Sequence, residues 1–256
     1  MVKMIMHGCN GRMGKMIAGI VSEDPDIEIV QGVDINTASD GSFPVVDSIE
    51  KADASADVVV DFGNSLAVDK VIDWCVEKKI PLVECTTGLT DETLAKIESA
   101  ASSIPMFKSA NMSLGINIIQ KILKENSAKL AEAGFDIEIV EKHHRTKLDA
   151  PSGTALALAD SVNEGLAKKK DYVFDRSERR MVRPDTEIGI SAVRGGTIVG
   201  DHDVIFAGRD EVITFSHTAY SRAVFAKGAV EAAKFCAGKA PGRYDMSDVL
   251  CDSDPA

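Results

Sequence analysis

The chain has 256 residues, a formal net charge of −11 and five cysteines. That length suits one large or two medium domains with a sizeable buried core, and the acidic balance argues against general binding to nucleic acid or to anionic membranes. No apolar run approaches the ~18 residues of a membrane span, the N-terminal stretch Met1–His7 is too short for a signal peptide, and cysteines without Cys-x-x-Cys or zinc-finger spacing predict free thiols in a reducing, cytoplasmic setting.

The first half alternates strand and helix. Met4–His7 reads as a strand, and Gly11–Ser22 as a helix with Met13, Met16, Ile17 and Ile20 on one face. Ile27–Val33 and Val58–Phe62 are further strands, the latter an apolar run of the kind covered on both faces. Helix Ala67–Lys78, strand Pro81–Glu84, a helix to Ser102 with Thr90 as its N-cap, and strand Pro105–Lys108 follow. Repeated βα units imply a doubly wound parallel sheet of Rossmann-like type.

The pattern changes near Ser113. Leu114–Ala133 reads as a long helix, and Phe135–Glu141 as a strand with Phe135, Ile137 and Ile139 on one face. Thr154–Leu166 is a helix, and Ile188–Val193, Thr197–Phe206 and Val212–Ala219 are strands, with Gly195-Gly196 and Gly208-Arg209-Asp210 as turns between them. Lys168-Lys169-Lys170 and Arg176–Arg183 read as solvated, charged loop. A C-terminal α+β domain with a mostly antiparallel sheet is expected, after which helix Arg222–Phe235 returns to the first domain. The predicted boundaries are 1–112, completed by 222–256, for dinucleotide binding, and 113–221 for substrate binding and oligomerisation.

Residues 8–14 read Gly8-Cys9-Asn10-Gly11-Arg12-Met13-Gly14. A pyrophosphate must approach backbone N–H groups at a helix N-terminus, so a strand, this glycine spacing and a helix suit a dinucleotide. Gly8 permits the turn, Gly11 the approach and Gly14 the packing of helix on strand. Arg12 is expected to face the pyrophosphate, and Cys9 carries no chemistry of its own. Asp34 ends the second strand, 20 residues after Gly14. Its carboxylate can accept from ribose hydroxyls and repel a 2′-phosphate, and Ile35 offers no cation in compensation. NADH is therefore expected to be preferred, with NADPH weaker.

The run Glu141-Lys142-His143-His144-Arg145-Thr146-Lys147-Leu148-Asp149-Ala150-Pro151-Ser152-Gly153-Thr154-Ala155 supplies local positive charge in an acidic chain. Its Pro-Ser-Gly-Thr helix start favours an anion, and histidine and lysine beside it can donate protons. Adjacent histidines point to opposite sides of an extended chain, and no thiol or further histidine is nearby, so no metal is expected.

With these segments the chain resembles the 4-hydroxy-tetrahydrodipicolinate (dihydrodipicolinate) reductase family over essentially its whole length. The resemblance rests on Gly8–Gly14, Thr86-Thr87-Gly88, Asn111–Asn117, the His-His-x-x-Lys-x-Asp-Ala-Pro-Ser-Gly-Thr run, Val193–His202, Ser221–Ala233 and Tyr244–Leu250. It implies an NAD(P)H-dependent oxidoreductase of lysine and diaminopimelate biosynthesis. Such an enzyme reduces a cyclic dicarboxylate imine with loss of water. It further implies His143 as catalytic acid/base and Lys147 as proton donor, with His144, Ser152, Gly153 and Thr154 binding carboxylate and Arg222 contacting the substrate. Cys85, Thr86, Thr87 and Ser109, Ala110, Asn111 and Met112 would line the cofactor beside Gly8, Cys9, Asn10, Gly11, Arg12, Met13 and Asp34. The family is commonly tetrameric, and the apolar, strand-rich segment 188–219 suits such assembly. His7, Cys85 and Met112 depart from the residues most frequent at these places. Two other readings are weighed. A different two-domain dehydrogenase would explain the glycine loop but not the 141–155 run, and a non-catalytic dinucleotide sensor would not need His143 and Lys147.

Overall fold

A computed structural model of the protein describes residues 1–39, 41–53, 55–177 and 179–252. Apolar runs set its order of elements. In chain order these are β1 (Val2–His7), α1 (Arg12–Val21), β2 (Ile27–Val33), β3 (Val45–Val46), β4 (Val58–Asp61), α2 (Val68–Lys78), β5 (Leu82–Glu84), α3 (Asp91–Ala100) and β6 (Pro105–Phe107). Then come α4 (Leu114–Glu132), β7 (Asp136–His143), α5 (Gly153–Gly165), β8 (Asp171–Val173), β9 (Glu187–Arg194), β10 (Gly200–Ala207) and β11 (Val212–Ala219). The chain closes with α6 (Ala223–Cys236), β12 (Gly242–Tyr244) and α7 (Met246–Asp252). Two units result, Met1–Ser113 with Ala223–Ala256, and Leu114–Arg222.

The first unit holds a seven-stranded sheet in the order β12-β6-β5-β4-β1-β2-β3, and every neighbouring pair is parallel. Strands buried on both faces read as continuous apolar runs, as Met4-Ile5-Met6 and Val58-Val59-Val60 do. Met4, Met6, Val58 and Val60 pack under Ile17 of α1 and Ala226, Ala229 and Ala233 of α6. Ile5, Val59 and Leu82 face the other way, onto Val71 and Ile72 of α2 and Ile97 of α3. Small residues let α6 approach closely. A Cβ at Gly228 would collide with the Met112 carbonyl. Thr90 caps α3 by accepting from the Thr93 N–H, a contact of the kind worth about 1 kcal/mol. The strand order reverses between β2-β1 and β4, which is where doubly wound sheets open a ligand crevice at their C-terminal ends.

The second unit is a five-stranded sheet, β11-β10-β7-β9-β8. Its core side carries Ile137, Ile139, Ile188, Ile190, Val204 and Phe206 against Leu123 of α4 and Ala155, Leu158, Ala159 and Val162 of α5. Where antiparallel pairing was expected to dominate, the sheet is mixed. β11-β10 and β10-β7 are antiparallel, whereas β7-β9 and β9-β8 are parallel. Gly208–Asp210 does join a hairpin, but Gly195-Gly196 does not, because β7 lies between β9 and β10. Arg176–Arg183 also departs from a solvated loop. Arg176 pairs with Glu187 at 2.6 Å and Glu138 at 3.1 Å, Arg179 with Glu187 at 2.7 Å, and Arg183 with Asp136 at 2.6 Å and Glu138 at 2.8 Å. Carboxylates on β7 and β9 draw the arginines onto the sheet. Such a shared network holds better than isolated surface pairs.

Candidate active site

In the first unit the glycine turn is dictated by backbone crowding. Gly8 has φ +78°, and a Cβ there would lie 2.6 Å from the Phe62 carbonyl oxygen. Only glycine adopts this conformation at no steric cost. A Cβ at Gly14 would strike the carbonyl oxygens of Gly8 and Cys9, which is the close seating of α1 on β1. At Gly11 the nearest atom to such a Cβ is the Gly8 carbonyl oxygen, 3.2 Å away. Gly11 caps α1 without any side-chain hydrogen bond, and the first turn holds no acidic residue, so its N–H groups suit a pyrophosphate. Arg12 is exposed at that turn and Met13 half-buried.

Asp34 locks to the same turn. Its Oδ2 accepts from the Asn10 N–H at 3.0 Å and its Oδ1 from the Asn36 N–H at 3.0 Å. Each carboxylate oxygen keeps a second lone pair, so the loop fixes the carboxylate and leaves it able to accept from a ribose. The Asn10 side chain ties down the following loop through the carbonyls of Asn36 and Ala38, at 2.5 and 2.9 Å. Cys9 points inward, and its sulfur would lie 2.6 Å from a Cβ at Gly32. Burial, followed by the Asp34 charge, pushes its thiol up to about 11, so Cys9 fills space as an inert thiol.

Thr86, Thr87 and Ser109–Met112 follow the C-terminal ends of β5 and β6. Thr86 is buried with an Oγ1 that has no hydrogen-bond partner among the described residues, and Thr87 is exposed. An orphaned hydroxyl on that strand edge fits the polar end of a dinucleotide. The Ser109 hydroxyl donates to the Asn111 carbonyl at 3.1 Å. Met112 turns its side chain into the core, and Cys85 is half-buried at the end of β5, with burial holding its thiol well above the ordinary value.

In the second unit, β7 delivers His143 to the start of the basic loop. The ring is buried, its Nδ1 lies 2.6 Å from Glu141 Oε2, and it meets His202 edge-on with centroids 5.1 Å apart. Burial lowers the His143 pKa more than the Glu141 carboxylate raises it. His202 is pushed down to about 4, first by burial and then by His143, and shares a 3.1 Å hydrogen bond with the Ser152 hydroxyl. Ser152 caps α5 by accepting from the Ala155 N–H at 3.2 Å, which aims the helix start, with Gly153 and Thr154, toward the loop. Lys147 is held 2.9 Å from Asp149, and His144 Nδ1 lies 2.8 Å from the Thr146 hydroxyl. His143 and Ser152 are therefore brought together, with Lys147 and His144 on the loop between them. Arg222 is half-buried at the end of this unit, outside that hydrogen-bonded cluster.

Sequence reasoning assigned nothing to Glu141, Arg194 or His202. The two-residue period of β7 offered a signal, because extending Ile137 and Ile139 by two and four places puts Glu141 and His143 on the buried face. Among the described residues, no group of three or more His, Cys, Asp or Glu side chains is placed to hold a metal ion.

Two family signatures match the chain, "Dihydrodipicolinate reductase, N-terminus" over residues 2–112 and "Dihydrodipicolinate reductase, C-terminus" over residues 115–250. A 4-hydroxy-tetrahydrodipicolinate reductase of Caldanaerobacter subterraneus subsp. tengcongensis is 52% identical over 98% of both chains. One of Clostridium tetani is 50% identical over 98% of this chain and 97% of its own. Among solved structures, the dipicolinate-bound dihydrodipicolinate reductase of Paenisporosarcina sp. TG-14 superposes with a TM-score of 0.75 at 25% identity, covering 96% of this chain and 97% of its own. The chain therefore belongs to the dihydrodipicolinate reductase family.

Proposed function

We propose that the chain reduces 4-hydroxy-tetrahydrodipicolinate to tetrahydrodipicolinate with loss of water, in lysine and diaminopimelate biosynthesis. It is a nicotinamide-dependent oxidoreductase. The observation that carries the reading is the histidine and lysine cluster at the start of α5, a cationic, anion-accepting site inside a chain of net charge −11.

A bound nicotinamide dinucleotide supplies hydride. Gly8, Gly11 and the first turn of α1 would seat its pyrophosphate, Asp34 its adenosine ribose, and Thr86, Thr87 and 109–112 its nicotinamide end. His144, Ser152, Gly153, Thr154 and Arg222 bind substrate carboxylates. Reduction leaves negative charge on the ring. Lys147 offsets that charge and donates a proton, and His143 holds or moves a proton at Nε2. NADH would be preferred to NADPH as the cofactor, because Asp34 would repel a 2′-phosphate and Ile35, 95% exposed, carries no cation.

The test follows nicotinamide absorbance with substrate generated in place from pyruvate and aspartate semialdehyde by the synthase that condenses them. A higher kcat/KM for NADH than for NADPH is expected. The reverse ratio would overturn the cofactor preference, and no oxidation of either would overturn the reductase reading. The strand-rich segment 188–219 with its exposed Val193 and Val212 supports assembly into a homotetramer, for which light scattering should return four times 27.3 kDa; a monomer mass would refute it. Five unpaired cysteines suit the reducing cytoplasm, where we place the enzyme. No helix among the described residues is long and apolar enough to cross a membrane.

A further inference from the structure

Glu141 sits fully buried on the aliphatic face of β7, in line with Ile137 and Ile139. A carboxylate is costly there unless paired and hydrogen-bonded, and this one is saturated. Oε1 accepts from Arg194 Nη2 at 2.7 Å and from the Ser152 N–H at 3.0 Å. Oε2 accepts from Arg194 Nη1 at 2.7 Å and meets His143 Nδ1 at 2.6 Å. Arg194 Nη2 also donates to the Asp149 carbonyl at 2.6 Å, in the loop that carries Lys147. One carboxylate thus joins the imidazole and the cap of α5, and through Arg194 the lysine loop.

We propose that Glu141, backed by Arg194, is a positioning residue that holds His143 as the Nδ1–H tautomer, presents Nε2 as the reactive nitrogen, and stabilises the imidazolium formed when Nε2 takes a proton. The inference rests on the reading of His143 as acid/base given above. An ionised carboxylate only accepts, so the proton of a neutral His143 must lie on Nδ1 and leave Nε2 bare. Burial alone would push the Glu141 carboxyl up. The Arg194 fork, His143 and the Ser152 N–H outweigh it and hold the group below the ordinary range. The groups facing the ring are Glu141 on its own strand, Lys147 in the loop, Arg194 on β9 and His202 on β10. Of these only Glu141 favours the imidazolium. Gly200 backs the reactive nitrogen, since a Cβ there would lie 3.1 Å from His143 Nε2.

The test pairs kinetics of the full chain with NMR of 15N-histidine-labelled protein. Wild type should show His143 as the Nδ1–H tautomer near neutral pH. Glu141→Gln should lower kcat by about 10- to 100-fold, by analogy with lost carboxylate support behind a metal-bound histidine. It should also move the ionisation reporting His143 to lower pH and leave NADH affinity unchanged. Glu141→Asp, which keeps the charge, should return that ionisation toward its wild-type position. A protein that merely lost packing would show neither the displaced profile nor its rescue. An Nε2–H tautomer in wild type overturns the proposal, and this measurement stands even if Glu141→Gln does not fold. So does an unmoved profile in a folded, active Glu141→Gln. Wild type that shows the Nδ1–H tautomer but no reduction would overturn the reductase reading instead.

Discussion

Lys147→Ala should lower kcat by about 10²–10⁴-fold, the usual worth of a positioned proton donor, with NADH affinity unchanged. The lysine belongs to the second unit, whereas the glycine turn, Asp34 and Thr86, which we propose hold the dinucleotide, belong to the first, so the substitution changes none of them. Its structural cost is small. Among the described residues the lysine pairs with Asp149, whose side chain is 58% exposed, and pairs of that kind contribute roughly 0–1 kcal/mol. A fall of several hundredfold therefore reports chemistry rather than folding. Lys147→Arg retains the charge in a planar, always-protonated group, and should recover substrate binding better than turnover. Fluorescence titration with NADH and steady-state kinetics separate the two. A Lys147→Ala enzyme within threefold of wild-type kcat would remove lysine from the proton-donor role.

The second large effect concerns stability. Asp61 and Glu84 are register partners at the ends of β4 and β5, both fully buried. Asp61 Oδ1 meets His7 Nδ1 at 2.6 Å and the Gly63 N–H at 2.7 Å, and Glu84 Oε1 accepts from the Thr86 N–H at 2.6 Å. The remaining oxygens, Asp61 Oδ2 and Glu84 Oε2, have no donor of their own among the described residues and call for a proton between them. Burial first and the Asp61 charge second push Glu84 up to about 9, against 4.5 for the free group. A pKa raised by folding gives stability that is fully present below pH 4.5 and lost progressively as pH climbs toward 9. Glu84→Gln supplies an N–H donor of the same shape that never titrates. Urea unfolding should find the variant more stable than wild type by about 4 kcal/mol at pH 8 and nearly equal to it at pH 4.5. Equal stabilities at pH 8 would mean that Glu84 is ionised in the fold.

Those two predictions lie on opposite sides of what the sequence made legible. The β1-turn-α1-β2 unit could be read closely because its constraints are local: apolar strand residues, glycines forced by carbonyl clashes, and an acid at a fixed distance. Ile27–Val33 and Val212–Ala219 are strands with the ends the pattern predicts, and Thr90 caps its helix. Lys147 and His143 fall within the same legible class, since a dense cationic run before a Ser-Gly-Thr helix start advertises an anion site. Pairing between distant strands left no such mark. Nothing in Gly195-Gly196 tells that β7 will come between β9 and β10, and strands as short as Val45–Val46 or Gly242–Tyr244 are too brief to show a period. The Asp61–Glu84 pair was hidden for the same reason. Each acid closes an apolar strand, and only register makes them neighbours. Arg176 and Arg183 looked solvated because their carboxylate partners sit 11 to 47 residues away.

The division of the chain also sets an order of assembly. The second unit is contiguous and ends at Arg222, whereas the first needs α6 to cover β1 and β4, and β12 to pair with β6. During synthesis from the N-terminus, the Rossmann sheet emerges first yet keeps Met4, Met6, Val58 and Val60 only partly covered, by α1, until residues beyond 223 leave the ribosome. Domains generally fold as units, so the unit translated second is the first to be complete. The first unit becomes complete only when α6 and β12 arrive. A nascent chain stalled before α6 would leave one apolar face of the sheet only partly covered, the kind of surface that chaperones exist to shield.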